Sequence, residues 1–346
     1  MSGHPGSSGV HPGALGHPGS SGVHPGAVGS VRPDGYVYRR APMLVYWETT
    51  LACGLACRHC RAEAMPDRSP DELTTEEGLR LLDAIMGFGR PYPHVVFTGG
   101  DPLRRPDLEI LVAGASARGI GSSLAPAVTP DLTVERLARL KAAGVQTISL
   151  SLDGSSPEQH DGLRGVGGTF EMTMRAAGWA REVGLPIQVN TLVTDTTLPD
   201  LPAVYDLLAE LGILRWSLFF LISVGRGSVL REITPGESER LGHWLYERAK
   251  EAPFQIKTTE ATHYRRIAIN RMRAEGLDEA AIAASSVGRG LGIRDGNGIL
   301  FVRHDGVVYP SGFLPLALGN VRTEDIVTIY REHPVLAGLR DVTSFR

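Results

Sequence analysis

Three cysteines lie within eight consecutive positions of this 346-residue chain, which contains no others. They are Cys53, Cys57 and Cys60, in the spacing C-x3-C-x2-C. A structural zinc site usually has four ligands, commonly from two C-x2-C pairs, and the chain has no second pair. A redox pair of Cys57 and Cys60 would leave Cys53 unexplained. The spacing instead suits three corners of a four-iron four-sulfur cluster whose fourth iron has no protein ligand.

The segments around the cysteines alternate between strand-like and helix-like patterns. Strands are predicted at about 43–49, 94–98, 120–125, 146–152, 186–193 and 215–222. Amphipathic helices are predicted at about 75–88, 107–117, 133–143, 168–184, 200–211 and 235–251. This alternation predicts an α/β fold with a parallel sheet, either open and doubly wound or a barrel. The cysteine loop then follows the first strand at the carboxyl edge of the sheet, where such folds carry their reactive groups.

The composition limits the partners and the location of the protein. The net charge of -3 and the pI near 6.4 provide no basic field for nucleic acid or an anionic lipid surface. No run of about 18 apolar residues is present. Clustered thiols in an odd number are typical of a reducing compartment rather than of a disulfide framework. We therefore expect a cytoplasmic protein with neither a nucleic-acid nor a membrane partner.

The first 35 residues differ in composition from the rest of the chain. The segment GHPGSSGVHPGA at 3–14 recurs unchanged at 16–27, without apolar periodicity. This pattern predicts a disordered tail over residues 1–35. The repeat carries four histidines, so metal binding is an open alternative to a tail without function.

The cysteine spacing behind the first strand resembles that of the radical S-adenosylmethionine (radical SAM) superfamily, and the resemblance covers about residues 36–325. It implies a partial (β/α)6 TIM-type barrel over 36–252 and a small C-terminal β-hairpin extension, over 253–346, that closes the barrel mouth. It also implies one 4Fe-4S cluster, S-adenosylmethionine cleaved to a 5′-deoxyadenosyl radical, and a flavodoxin or ferredoxin-type electron donor. The protein would supply orientation and exclusion of water.

The resemblance also places S-adenosylmethionine contacts behind successive strands. The segment FTGGDPL at 97–103 is similar to a motif whose glycine backbone approaches the methionine ammonium, although the family more often has Glu at the position of Asp101. The contacts implied are Gly99, Gly100 and Asp101 for the ammonium, Ser151 and Arg164 for the carboxylate, Asn190 for the ribose, and the backbone of Leu221 and Ile222 for the adenine. An alternative for Arg164 is a surface ion pair with Asp161, and Ser151 and Asn190 would then simply end their strands.

The segment at 296–322 predicts a β-hairpin that turns at Asp305 and Gly306. It resembles an extension that carries auxiliary-cluster cysteines in related enzymes. Here Ser311 stands where a cysteine is often found, and no thiol follows Cys60. We therefore expect a single cluster and a small-molecule substrate.

The single-cluster form resembles enzymes that tailor sugar nucleosides or porphyrins. The main hypothesis is a lyase that decarboxylates a sugar nucleoside such as cytosylglucuronate in antibiotic biosynthesis. The alternatives are a porphyrin-modifying or peptide-modifying enzyme, and a non-catalytic iron-sulfur scaffold or electron carrier. Glu260 is the predicted catalytic proton relay and Arg265 a candidate for holding a carboxylate, with His263 and Tyr264 beside them. Equally open is a plain helix start capped by Thr259 or Thr262, with solvated arginines.

Overall fold

The computed structural model describes residues 37–61, 64–289 and 293–341. The predicted tail at 1–35 lies outside the described residues. The first strands are β1 Leu44–Glu48, β2 His94–Thr98, β3 Ser122–Leu124, β4 Val145–Ser151, β5 Ile187–Val193, β6 Arg215–Phe220 and β7 Gln255–Thr259. The helices between and after them are α1 Thr75–Met86, α2 Leu108–Ala117, α3 Val134–Ala143, α4 Pro157–Arg164, α5 Thr169–Glu182, α6 Leu201–Leu211, α7 Pro235–Glu251 and α8 Thr262–Ala274.

The remaining elements are short. They are α9 Glu279–Ala284, α10 Ser286–Arg289, β8 Arg294–Asp295, β9 Gly298–Val302, β10 Val307–Tyr309, β11 Gly319–Asn320, α11 Ile326–Glu332 and α12 Pro334–Arg340. Strands β9 and β10 form the predicted hairpin, and the turn between them contains Asp305 and Gly306. Within the described segments, no helix combines the length and apolar character needed to cross a membrane.

The sheet is parallel from β1 to β7, and the strands pair in the order in which they occur along the chain. Strand β9 pairs in parallel with the other edge of β1, while β10 and β11 continue the sheet antiparallel. In the described part of the chain β7 pairs only with β6, so the barrel stays open on that side. The predicted α/β class, a partial TIM-type barrel with a hairpin extension, is confirmed.

Each strand has an apolar outer face and a more polar inner face. On β1, Val45 and Trp47 are completely buried against the helices, whereas Tyr46 faces the barrel interior. Helix α1 packs closely here, because a Cβ at Gly78 would lie 2.7 Å from the Trp47 ring. TIM-type barrels are usually filled by branched apolar side chains. The polar interior of this barrel instead leaves room for a ligand.

Helix α4 was not predicted, and the structure shows how the chain separates it from α5. Gly165 follows α4 with φ 70°, a left-handed conformation that favours glycine and ends a helix. The Asp161 carboxylate then accepts hydrogen bonds from the backbone N–H groups of Gly168 and Phe170 at the start of α5. The predicted helix at 168–184 is therefore present as α5, while the segment before it, expected as a loop, forms α4 with Arg164 at its last position.

Candidate active site

The cysteine loop follows β1 directly, and its three thiols are free and half-buried. The Cys53 N–H donates to Met65 O at 2.8 Å, and the Cys60 N–H donates to Cys57 O at 3.3 Å. Burial raises the pKa of the Cys53 thiol to about 11 and raises that of Cys57, although Arg164 opposes the second shift. Among the residues that the structure describes, no three His, Cys, Asp or Glu side chains already converge as metal ligands. Deprotonation of Cys53 and Cys57 is thus expected to depend on the positive charge of bound iron.

Arg164 forms a buried ion pair beside this loop. Its Nε donates to Asp153 Oδ2 at 3.1 Å, and its Nη1 donates to Cys57 Sγ at 3.7 Å. The residue is 7% exposed. The alternative of a surface pair with Asp161 is therefore wrong, because Asp161 instead accepts hydrogen bonds at the start of α5.

Asp153 organises the region behind Arg164, and the sequence analysis did not identify it. Its Oδ1 accepts the Leu192 N–H at 2.9 Å, and its Oδ2 lies 3.8 Å from His59 Nε2. Burial alone would raise the pKa of Asp153, but Arg164 and His59 outweigh it and hold the pKa below its usual range. The position of Asp153, two residues beyond β4 at the carboxyl edge of the sheet, was the available signal.

Gly99 and Gly100 allow two loops to pack in direct contact. A Cβ at Gly99, where φ is 152°, would lie 2.4 Å from Thr50 O. A Cβ at Gly100 would lie 2.5 Å from the backbone oxygens of Leu51 and Ala52. The sequence predicts that this glycine pair allows a ligand to approach the backbone. In the structure, glycine is also required for packing within the protein, because the backbone at the start of the cysteine loop contacts the backbone of Gly99 and Gly100.

Asp101 is fully buried and its carboxylate is occupied by protein donors. Its Oδ1 accepts the N–H groups of Leu103 at 3.1 Å and Ala127 at 3.3 Å, and its Oδ2 accepts the Thr129 hydroxyl at 2.7 Å. Burial raises the pKa of this carboxyl, and the three hydrogen bonds partly oppose that shift. Asp101 therefore positions the loops that follow β2 and β3.

A cavity of about 250 Å³ lies on the inner face of the sheet. Asn190 and Glu260 line it, and the amide Oδ1 of Asn190 accepts a hydrogen bond from Gln188 at 2.8 Å. Ser151 is paired with Asn190 across β4 and β5. Leu221 and Ile222 follow β6 and are half-buried. The predicted contact residues Ser151, Asn190, Leu221 and Ile222 therefore lie on, or directly after, the adjacent strands β4, β5 and β6.

Arg61 joins the cysteine loop to the C-terminal hairpin, a role that the sequence analysis missed. Its Nη1 donates to Gly312 O at 2.9 Å and its Nη2 to Glu48 Oε2 at 3.1 Å. Its guanidinium also lies over the rings of Phe301, at 4.9 Å, and Phe313, at 5.9 Å. The hairpin thus forms one wall of the cavity.

Glu260 lies at the exposed mouth of the cavity in an uncommon backbone conformation. Its φ is 62°, a left-handed value that non-glycine residues rarely adopt outside constrained or functional sites. Desolvation and the nearby Asp295 charge raise the pKa of its carboxyl, while Lys257 opposes the shift. The alternative of a threonine cap is wrong, because Ala261 occupies the N-cap position of α8 and no side chain caps the helix.

Buried donors without partners surround the cysteine loop. Within the described residues, Arg226 Nε and Nη2 and His59 Nδ1 have no hydrogen-bond acceptor. Arg226 is tied to the loop by its backbone N–H, which donates to Cys60 O at 3.3 Å. Buried donors normally have an acceptor, and an iron-sulfur cluster with S-adenosylmethionine would supply sulfide and carboxylate acceptors. The thiols and these donors therefore fit that cofactor pair.

Comparisons with known proteins agree with this chemistry. Residues 47–208 match the model of the Radical SAM superfamily. Over 301 residues the chain is 36% identical to the AdoMet-dependent heme synthase of Methanosarcina barkeri, covering 87% of this chain and 85% of that protein. The chain belongs to the radical SAM superfamily. Its cofactors are accordingly a 4Fe-4S cluster and S-adenosylmethionine, as predicted.

Two further similarities extend along most of this radical SAM chain. It is 30% identical over 308 residues to the Fe-coproporphyrin III synthase of Methanosarcina barkeri, covering 86% of the chain and 76% of that protein. The crystal structure of Streptococcus suis SuiB bound to precursor peptide SuiA superposes with a TM-score of 0.68 and 19% identity, covering 87% of this chain and 67% of that one. At that identity the likeness to SuiB concerns the fold alone.

Proposed function

We propose that this radical SAM enzyme modifies a tetrapyrrole of the iron-porphyrin class. The observation that carries the proposal is the similarity to the AdoMet-dependent heme synthase and the Fe-coproporphyrin III synthase over more than four fifths of the chain. These relatives favour the porphyrin alternative of the sequence analysis. They do not support the main hypothesis of cytosylglucuronate decarboxylation, nor the lyase and antibiotic assignments that depended on it.

The cavity suggests which part of such a substrate enters the barrel. Its volume of about 250 Å³ is below the roughly 300–1,000 Å³ of sites that enclose a drug-sized ligand. A whole macrocycle exceeds that space, whereas one pyrrole edge with its side chain fits. Aromatic walls from Tyr46, Phe219 and Phe301 suit a flat apolar ring edge. In this proposal the ring edge enters and the rest of the macrocycle stays at the mouth.

The residues of the chain orient both ligands in this proposal. When bound, the cofactor pair supplies a 5′-deoxyadenosyl radical that abstracts a hydrogen atom. Arg164 retains N–H groups beyond those used by Asp153 and Cys57, and these hold the methionine carboxylate together with Ser151. The backbone at Gly99 and Gly100 approaches the ammonium.

The remaining assignments concern the nucleoside and the mouth of the cavity. Asn190 binds the ribose, and the backbone of Leu221 and Ile222 flanks the adenine. Glu260 accepts or relays a proton at the mouth, where its raised pKa makes it a better base than an ordinary carboxylate.

Anaerobic turnover with defined substrates tests the proposal. Reconstituted protein is incubated with dithionite, S-adenosylmethionine and either iron-coproporphyrin III, cytosylglucuronate or no substrate, and 5′-deoxyadenosine and product mass are measured. We expect a several-fold rise in 5′-deoxyadenosine and a new product mass with the porphyrin alone. A mass change only with cytosylglucuronate would overturn the tetrapyrrole assignment. The absence of 5′-deoxyadenosine in every arm would instead indicate the non-catalytic scaffold.

The electron donor is tested in the same assay. A flavodoxin or ferredoxin with its reductase replaces dithionite. We expect porphyrin-dependent 5′-deoxyadenosine with at least one of them, and failure of both would remove this class of partner.

A further inference from the structure

Three cationic side chains gather where β6, β7 and α8 meet: Arg215, Lys257 and Arg265. Lys257 is placed on the inner face of the barrel by strand register, because it pairs with Ser217, which pairs with the cavity residue Asn190. Thr259, two residues later on the same face of β7, also lines the cavity. Lys257 therefore lies on the inner face of β7, two residues before the cavity residue Thr259.

These cations lack acidic partners. In the part of the chain that the structure describes, neither Lys257 nor Arg265 has a carboxylate oxygen within 4.0 Å. Arg215 donates only to neutral acceptors, Gln255 Oε1 at 2.8 Å and Gln188 Oε1 at 3.3 Å. Buried lysines and arginines are nearly always paired, since an uncompensated charge inside a protein is costly. Arg215, Lys257 and Arg265 therefore form a cationic cluster without an anionic partner among the described residues.

The charges that face Lys257 agree with that conclusion. Burial, with the charges of Arg215 on β6 and Arg265 on α8, lowers the pKa of Lys257 to about 8, and only Glu260 opposes the shift. Arg61, the cation at the opposite wall, is already bonded to Glu48 and Gly312. Lys257 is thus the more available site for an incoming anion.

We propose that Lys257, with Arg265, binds a carboxylate of the substrate at the inner face of β7, next to the cavity. The inference rests on the proposed function, since coproporphyrin-type tetrapyrroles carry propionate side chains. An ammonium and a guanidinium suit such a group through charge-assisted hydrogen bonds. The carboxylate supplies the negative charge that this cluster lacks, and it fixes which ring edge faces the cofactor.

The lysine content of the chain permits a direct footprint. The chain has only three lysines, Lys141, Lys250 and Lys257. Lys141 donates to Val183 O at the surface, and Lys250 forms exposed ion pairs with Glu247 and Glu275. Both serve as internal references for an amine-selective reagent, because neither is near the cavity wall.

Reconstituted protein is acetylated with an N-hydroxysuccinimide ester at pH 8, alone or with metal-free coproporphyrin III, its tetramethyl ester, or adipate. We expect the tetra-acid to slow acetylation of Lys257 at least fivefold and to leave the two reference lysines unchanged. The ester should protect far less, because it has no carboxylate. If coproporphyrin III and its tetramethyl ester protected Lys257 from acetylation equally, the proposed contact with a carboxylate would be wrong.

Variants give a second readout by absorbance titration of coproporphyrin III. Lys257→Met should weaken binding at least tenfold, and Lys257→Arg should restore most of the affinity. Lys250→Met is the matched control and should bind as the parent does. If the Lys257→Met variant binds the tetra-acid as tightly as the parent, the inference fails while the proposed function stands.

The adipate arm separates the two proposals. If adipate protected Lys257 and the porphyrin did not bind at all, the carboxylate site would be supported and the tetrapyrrole substrate would be ruled out. Protection by neither ligand would overturn the inference. Porphyrin-dependent turnover, measured separately, then decides the proposed function.

Discussion

The two sides of the cavity differ in how far their cationic side chains are paired with protein carboxylates. On the cysteine-loop side, Arg164 is paired with Asp153 and Arg61 with Glu48, while within the described residues two buried guanidinium nitrogens of Arg226 have no acceptor. On the side of β7 and α8, Lys257 and Arg265 are inward or half-buried without an acid in ion-pair range in the described chain. Paired charges hold a loop in one arrangement, whereas unpaired charges favour an incoming ligand. In the proposals made above, the first side holds the cofactor and the second binds the substrate.

The largest effect is expected from the cysteines. Replacing any one of Cys53, Cys57 or Cys60 with Ala should reduce bound iron to near zero, because the cluster then lacks one of its three protein ligands. Iron and sulfide analysis, visible absorption and 5′-deoxyadenosine formation are the measurements. A variant with a full complement of iron and unchanged cleavage would break the assignment of this side to the cofactor.

The buried ion pair on the same side should give the next largest effect. Arg164→Ala leaves the Asp153 carboxylate buried without its cation, and we expect a loss of about 3–5 kcal/mol in the free energy of unfolding. Affinity for S-adenosylmethionine should also fall about tenfold or more. Arg164→Lys should recover only part of both, because an ammonium lacks the planar two-donor geometry. The exposed Arg181→Ala is the control, and an equal loss there would contradict the role of burial.

Gly100 tests the contact between the cysteine loop and the loop after β2. Gly100→Ala places a Cβ 2.5 Å from two backbone oxygens, so we expect a destabilisation of about 1–3 kcal/mol and a lower iron content. Gly178→Ala is the matched control, because a Cβ there meets nothing within 4 Å inside α5. That control should be neutral or stabilising by up to about 1 kcal/mol. Denaturant unfolding of both variants shows whether the loss of stability comes from the steric contact at Gly100 or from replacing a glycine in general.

On the substrate side, the charge on Lys257 should make the free energy of unfolding depend on pH. The pKa of Lys257 is about 8 in the folded protein against 10.5 for an unperturbed lysine, so the unfolded chain holds the proton more tightly. Below pH 8 the buried charge costs the fold up to about 3 kcal/mol, and this cost falls as pH rises from 8 to 10.5. Lys257→Met should therefore stabilise the ligand-free protein at pH 7 and lose that advantage near pH 10.5.

Urea unfolding across this range measures the effect. The Lys257→Arg variant stays charged over this range, so its stability should not approach that of the Met variant at high pH. A Met variant less stable than the parent at pH 7 would mean that Lys257 already has a stabilising partner, and the contrast between the two sides would be lost.

The smallest effect is expected at the N-terminus. Deleting residues 2–33 should leave iron content and turnover unchanged, because the few apolar residues of this Gly/Pro/Ser repeat have no periodicity that would form a face for packing on the barrel. Loss of cluster or activity on truncation would give the repeat histidines a role in the site.

The same contrast explains what the sequence could and could not predict. The cysteine loop was identifiable because its ligands occupy one segment with fixed spacing, and the strands were identifiable from local periodicity and glycine helix stops. The partner of Arg164 was missed because Asp153 is eleven positions away and meets it only when α4 folds back. Arg61 and Gly312 are 251 positions apart. Such contacts depend on topology, which spacing along the chain does not encode.

The β7 region was difficult for a related reason. The sequence predicted a reactive glutamate at Glu260, but the inward direction of Lys257 follows from its register with β6. A single-residue shift of that register would turn Lys257 outward. A site whose residues occupy one segment can therefore be predicted from the sequence, whereas a site whose residues come from several strands can be identified only in the structure.

The central claim is that one cluster on the cysteine loop performs reductive cleavage of S-adenosylmethionine. The most direct measurement is iron, sulfide and 5′-deoxyadenosine on the same anaerobically reconstituted, dithionite-reduced wild-type sample. We predict about four iron and four sulfide per chain, because three thiols with S-adenosylmethionine ligate one cube and no other thiol is present in the chain. Formation of 5′-deoxyadenosine should rise in proportion to that iron. A reproducible value near eight iron per chain, or a full cluster that forms no 5′-deoxyadenosine, would contradict the account.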